Sequence, residues 1–154
     1  MGAVEVVVPV DGQGMDVVHL LLGRFWEVVT LAAGDRALPT ETWRAEFAIA
    51  VVEIAANIVR YAYPNRVDGP SFTLALRLYL DHIEAVLTDE GIAFAPPAEV
   101  APAAVSVDEL AVDLLEGGYG LWLAHSAVDE VGHERTADGA NRWRLAKRLP
   151  LEVR

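Results

Sequence analysis

Apolar residues recur along the chain with two different periods, and each period is typical of one kind of element. Apolar positions three and four residues apart match one face of an α-helix, whereas alternating or valine-rich runs match strands. The predicted helices are residues 15–32, 41–62, 106–115 and 121–131. The predicted strands are residues 3–10, 71–80, 83–89 and the two arms of a hairpin within 133–149, with its turn around 137–140.

The order of these elements favours one fold class. Strands arrive in adjacent pairs instead of alternating with helices, and a tight link at Asp81 and His82 joins the middle pair. This order predicts an α+β two-layer sandwich, in which helices cover one face of a mixed, mostly antiparallel sheet. The length of 154 residues suits a single domain over residues 1–154.

Composition and charge narrow the possible functions. The chain has no cysteine, which excludes disulfides, thiolate metal sites and a cysteine nucleophile, and agrees with a reducing cytoplasm. No apolar run is long enough to span a membrane, and Glu5 within the first apolar run argues against a secretory signal. The net charge of −11 should repel nucleic acid and anionic lipid, so neither is expected as a direct partner.

The second predicted helix carries polar residues within an otherwise apolar stretch. They share one side of a helical wheel and are Glu46, Glu53, Asn57 and Arg60. A solvated helix face usually shows more lysine and glutamate beside such residues, so this stripe fits the wall of a cleft. A carboxylate and an amide one turn apart can hold a divalent ion and activate a hydroxyl. Ordinary surface charges are the alternative interpretation.

Two glycine-containing segments lie further along the chain. Asp89 ends a predicted strand and Gly91 follows it, so the carboxylate can accept a hydrogen bond from an exocyclic amine while the glycine admits a flat base. A simple β-turn is the alternative there. Gly117, Gly118 and Gly120 directly precede a predicted helix. Free N–H groups at the positive end of a helix suit phosphate binding, and a flexible turn is the alternative.

In their order and spacing these segments resemble the N, G1 and G2 boxes of the GHKL ATPase superfamily. Within it, the chain is most similar to the anti-sigma factor serine kinases of the RsbW and SpoIIAB type. The family pattern E-x-x-x-N is met by Glu53 and Asn57, followed by the sequence RYAYP. The pattern D-x-G-x-G is met by Asp89 and Gly91, with Ala93 in place of the last glycine.

The third pattern, G-x-G-L, is met by Gly118, Gly120 and Leu121. The resemblance covers the chain from the first strand to Leu149. It implies a Bergerat-type fold, as in histidine-kinase-like ATPases, with residues 95–117 forming the ATP lid.

The resemblance also implies a role for each matched residue. Glu53 would be the catalytic general base toward an attacking hydroxyl, and Asn57 would be a Mg²⁺ ligand. Asp89 would bind the adenine amino group. The other positions expected at the nucleotide are Arg60, Tyr61, Gly91, Ala93, Gly118, Gly120 and Leu121.

By the same resemblance, the cofactors are ATP and Mg²⁺, and the protein is bacterial and cytoplasmic. It would phosphorylate a serine on a STAS-domain anti-sigma antagonist and sequester a sigma factor, and it would form a homodimer. No Lys or Arg lies between Leu78 and Glu134, a span that includes the expected lid. This absence favours an alternative, a partner-switching module that binds ATP without phosphotransfer. A stand-alone ATPase domain of another GHKL type is a third hypothesis.

Overall fold

The computed structural model describes residues 2–64, 69–94 and 120–150. Three α-helices lie in these ranges: α1 Gly14–Ala33, α2 Glu41–Asn57 and α3 Gly120–Ala127. A π-helical turn, Ile58–Ala62, continues α2. The strands are β1 Gly2–Pro9, β2 Ser71–Leu78, β3 His82–Asp89, β4 Glu130–Arg135 and β5 Asn141–Arg148.

The strands form one open sheet in the order β1-β2-β3-β5-β4, and every neighbouring pair is antiparallel. The β2–β3 and β4–β5 hairpins confirm the strand pairs that the alternating pattern predicts. β3 and β5 lie side by side although β4 separates them along the chain. Their register places Asp89, the last residue of β3, opposite Asn141, the first residue of β5.

Helices cover one face of this sheet, which confirms the predicted two-layer sandwich. The buried stripe of α1 is formed by Val18, Leu22, Phe25 and Val29. The matching stripe of α2 and its π-helical turn is formed by Phe47, Val51, Ile54 and Ile58. Burying a large apolar side chain stabilises a fold by about 1.5–3 kcal/mol, so these two stripes fix both helices against the sheet.

α2 begins where the sequence predicts. Thr40 is extended, and its hydroxyl accepts a hydrogen bond from the Trp43 backbone N–H at 3.2 Å, which caps the first turn. The predicted end near Ala62 is also confirmed, but the last turn is π-helical and not α-helical. A π-helical turn holds more residues than an α-helical turn, so a wheel at 100° per residue describes the helix only as far as Asn57.

The predicted helix over residues 121–131 is wrong at its C-terminal end. α3 ends at Ala127, and β4 begins at Glu130. Val131, whose spacing fits the apolar face of a helix, instead pairs with Leu145 of β5. A short apolar repeat does not separate a helix from a strand, and pairing with β5 satisfies the backbone of this segment.

Two predicted features lie outside the described residues, namely the helix over 106–115 and the lid segment over 95–117. Within residues 2–64, 69–94 and 120–150, none of the helices has both the length and the apolar character that crossing a membrane requires.

Candidate nucleotide site

The first part of the site is the C-terminal half of α2, where Glu53 and Asn57 lie one turn apart. Asn57 is buried and Glu53 is half-buried, although both are polar. On the other side of the same helix, Ile54 and Ile58 are buried in the core. These apolar anchors hold the rotation of α2, so the two polar side chains face α3 and not open solvent. Their burial favours the cleft wall over the alternative of ordinary surface charges.

Gly120, the first residue of α3, lies directly against this polar pair. A Cβ added at Gly120 would lie 2.6 Å from Glu53 Oε2 and 3.8 Å from Asn57 Oδ1. Only glycine therefore fits here without moving the Glu53 carboxylate. The contact also places the N-terminal end of α3, with its partial positive charge and free N–H groups, beside a carboxylate and an amide oxygen. Two segments predicted separately to bind a nucleotide thus meet in space.

The second part of the site is the C-terminal end of β3. Asp89 is only 2% exposed there. Its Oδ1 accepts hydrogen bonds from the Gly91 backbone N–H at 2.9 Å and from Asn141 Nδ2 at 2.8 Å. The first bond closes an Asx turn that ends the strand. The second bond comes from the neighbouring strand and spans 52 positions of sequence.

The π-helical turn connects the two parts. It directs the carbonyl oxygen of Ala62 toward the chain that follows Asp89, where that oxygen accepts a hydrogen bond from Ile92 N at 2.8 Å. A Cβ at Gly91 would overlap with the same carbonyl group, so glycine is required by close backbone approach at this position. The helix that carries Glu53 and the loop that follows Asp89 are consequently parts of one wall.

Tyr63, which is not among the predicted site residues, supports the same loop. Its hydroxyl donates to the Ser71 carbonyl at 3.1 Å and accepts from the Glu90 N–H at 2.8 Å. Burial raises the pKa of Tyr63, and the hydrogen bond from Glu90 partly offsets that rise. The tyrosine therefore stays protonated and ties the end of β3 to the start of β2.

Asn141 is a further functional candidate that emerges from the geometry and not from the motifs. Asn141 bonds Asp89, His133 contacts Asn141 at 3.1 Å, and Arg135 donates to the Gly91 carbonyl at 2.9 Å. The spacing of Asn141 from Asp89 in sequence gives no signal of this contact. The pairing of β3 with β5 and of β4 with β5 brings these residues together.

The other residues predicted at the nucleotide differ in their exposure. Arg60 and Tyr61 lie in the π-helical turn and are exposed, as is Ala93. Leu121 is buried beneath the start of α3. Gly118 lies outside the described residues. Among the residues that the structure describes, no acidic side chain forms an ion pair with Arg60.

The side-chain oxygens beside Gly120 fit a magnesium ion that is coordinated mainly by the phosphates of a nucleotide. Within the described ranges no group of three or more His, Cys, Asp or Glu side chains could form a protein cage for a metal. Mg²⁺ commonly takes only one or two protein oxygens and completes its shell with phosphate and water. Asn57 Oδ1, beside Gly120 at the start of α3, could supply such an oxygen.

Comparison with known proteins identifies the family of this chain. The family model of the histidine kinase-like ATPase domain matches residues 22–147. The chain belongs to this family. Among the relatives of this ATPase-domain chain are proteins named serine-protein kinase RsbW. The one from Halalkalibacterium halodurans is 35% identical over 86 residues, which cover 54% of this chain and 50% of that protein.

A second serine-protein kinase RsbW, from Bacillus pumilus, is 37% identical over 90 residues, covering 54% of this chain and 52% of that protein. The ATPase-domain chain thus spans about half the length of the curated relatives it matches. These findings confirm the resemblance to RsbW-type members of the superfamily that the three motifs indicate.

Solved structures confirm the fold. The RsbU and RsbW domains of a Mycobacterium tuberculosis protein superpose with a TM-score of 0.62 at 14% identity, over 96% of this chain and 32% of that chain. The SiaB-SiaC complex from Pseudomonas aeruginosa gives a TM-score of 0.54 at 13% identity, over 95% of this chain and 89% of that chain. At these identities the likeness shows the fold alone.

Proposed function

We propose that this chain binds ATP with Mg²⁺ and acts as a protein-serine kinase on a STAS-type anti-sigma antagonist. The contact of Glu53 with Gly120 is the observation that carries the proposal. It sets a carboxylate at the start of a helix whose N–H groups suit the phosphates of a nucleotide. The names of the RsbW relatives support the same reaction class.

In the proposed reaction the serine hydroxyl oxygen attacks the γ-phosphorus of ATP. The new O–P bond forms as the bond between the γ-phosphorus and its bridging oxygen breaks, and ADP leaves. Glu53 accepts the hydroxyl proton as general base. Asn57 Oδ1 is the protein oxygen that would hold Mg²⁺, which when bound neutralises charge on the phosphates. Asp89 accepts a hydrogen bond from the adenine amino group.

The pocket residues have supporting roles in this proposal. Gly118, Gly120 and Leu121 shape the phosphate end, and Gly91 and Ala93 shape the adenine end. Arg60 and Tyr61 lie at the exposed rim, where Arg60 is available to a phosphate. We place the ATP lid at residues 95–117 within a single domain over residues 1–154.

The kinase hypothesis is tested by replacing the base and measuring two quantities. Glu53→Gln should bind MgATP in calorimetry about as wild type does, while transfer of labelled phosphate to the antagonist falls by about 10²-fold or more. Glu46→Gln is the matched control, since this carboxylate of the same helix lies 3.5 Å from Lys147 Nζ and not at Gly120. Unchanged transfer by Glu53→Gln would refute the base assignment.

A second candidate function is a partner-switching module that binds the nucleotide without transferring phosphate. The observation that favours it is the absence of Lys and Arg between Leu78 and Glu134, because phosphoryl transfer needs charge stabilisation at the γ-phosphate. MgATP binding without detectable transfer to any STAS antagonist would support the module. Absence of binding heat at millimolar MgATP in a folded sample would refute both candidates.

Sequestration of a sigma factor, a homodimeric state and a bacterial cytoplasmic setting complete the proposal. Recovery of a sigma factor with the tagged chain, released when ATP and the unphosphorylated antagonist are added, is the expected result. A sedimentation measurement of the purified chain decides between monomer and dimer. Retention of the sigma factor under all nucleotide conditions would contradict partner switching.

A further inference from the structure

Asn141 is a buried polar residue for which the proposed reaction has no role. It opens β5 directly opposite Asp89 and is 1% exposed. Its Nδ2 donates to Asp89 Oδ1 at 2.8 Å and to the Ile92 carbonyl at 2.7 Å. This buried amide therefore restricts the rotation of the buried carboxylate that is expected to bind the adenine.

The oxygen of the Asn141 amide also has two partners. Asn141 Oδ1 accepts from the Phe94 backbone N–H at 3.2 Å and contacts His133 Nε2 at 3.1 Å. The Phe94 N–H can only donate, so the oxygen of the Asn141 amide must face it and the nitrogen must face Asp89. The contact with His133 is a hydrogen bond in the tautomer that carries the proton on Nε2. An asparagine side chain has two donor and two acceptor positions, and all four are used.

Because Asn141 is saturated, it has no hydrogen-bonding position left for a ligand. Its direct link to the expected base-binding position is the bond to Asp89. The two hydrogen bonds described for Asp89, from Asn141 Nδ2 and from Gly91 N, both reach Oδ1. They fix the rotation of the carboxylate and leave Oδ2 as the oxygen available to a bound base.

We propose that Asn141 is the positioning residue that makes the site selective for a 6-aminopurine nucleotide. This inference rests on the proposed nucleotide-binding function. A carboxylate oxygen accepts hydrogen bonds but cannot donate them, so Oδ2 accepts from a 6-amino group and repels a 6-oxo group. Without the Asn141 bond the carboxylate can turn or draw in water, and that discrimination weakens.

The test is the ratio of two dissociation constants, for ADP and for inosine diphosphate, which carries oxygen in place of the 6-amino group. Asn141→Asp is nearly isosteric but sets a second carboxylate against Asp89. Asn141→Ser removes the amide without adding charge and serves if Asn141→Asp does not fold. His133→Phe is the matched control, because it keeps an aromatic ring beside Trp143 and leaves the bond to Asp89 in place.

The wild-type chain is expected to bind ADP more tightly than inosine diphosphate by about tenfold or more, since a mismatched buried carboxylate loses a charged hydrogen bond. That ratio should fall toward one in both Asn141 variants and persist in His133→Phe. Loss of affinity for both nucleotides at a constant ratio would show a merely structural role and overturn the inference. A folded wild-type chain that binds neither nucleotide would overturn the nucleotide site, and the inference with it.

Discussion

Replacing Gly120 by alanine should separate catalysis from stability. The new Cβ would lie 2.6 Å from Glu53 Oε2, whereas ordinary carbon–oxygen contacts begin at about 3.3 Å. The carboxylate must therefore retreat by roughly 0.7 Å. Because this oxygen ends a flexible side chain, it can move at little cost to the fold. Asn57 Oδ1, at 3.8 Å from the added carbon, is in ordinary contact and need not move.

The expected result follows from these two distances. A misplacement of about 1 Å in a reacting group can cost about 10²-fold in rate, so kcat for phosphotransfer should fall by one to two orders of magnitude. KM for MgATP should change much less, because the Asn57 oxygen stays in place. The free energy of unfolding should stay within about 1 kcal/mol of wild type, since alanine is also the better helix former.

The assay combines steady-state phosphotransfer to a STAS antagonist with urea unfolding of the same samples. Gly23→Ala is the matched control, because Gly23 lies in α1 and a Cβ there meets nothing within 4 Å. It should leave kcat unchanged and raise the free energy of unfolding by up to about 1 kcal/mol. A Gly120→Ala enzyme with wild-type kcat, beside an inactive Glu53→Gln, would refute the positional argument.

Three further changes test other contacts. Tyr63→Phe removes the hydroxyl that bridges Glu90 and β2, and should lower the free energy of unfolding by about 1–3 kcal/mol in urea titrations. Burial raises the pKa of Tyr63, so the folded chain keeps this proton to higher pH than the unfolded chain. The difference in free energy of unfolding between wild type and Tyr63→Phe should keep its full size below a pH of about 10 and shrink above it. A difference that stays constant with pH would contradict this. Lys147→Met removes the ammonium that donates to the Ala127 carbonyl at 2.7 Å, and should destabilise the chain by about 1–3 kcal/mol, with partial recovery in Lys147→Arg. Asp89→Asn should weaken adenine nucleotides selectively in calorimetry, and equal weakening of every nucleotide would contradict its proposed role.

Local patterns were sufficient for most secondary structure. The Thr40 cap, the apolar stripe of α2 and the alternating strands around Asp81 and His82 all depend on neighbours within a few residues. The errors fall where a non-local interaction decides the local state. Val131 has helical spacing but pairs with Leu145 in the sheet, and the last turn of α2 becomes π-helical where Ala62 bonds the loop after β3.

The sequence also determined the identity of the family. It determined the pairing of Glu53 with Asn57 as well, because residues four positions apart on a helix lie one turn apart whatever surrounds them. What surrounds the pair was decided only by tertiary packing. The approach of Gly120 to Glu53 requires α3 to pack on α2, and the bond from Asn141 to Asp89 requires a sheet in which β5 lies beside β3. Contacts across 52 positions depend on how whole elements pack together, and no local spacing encodes them.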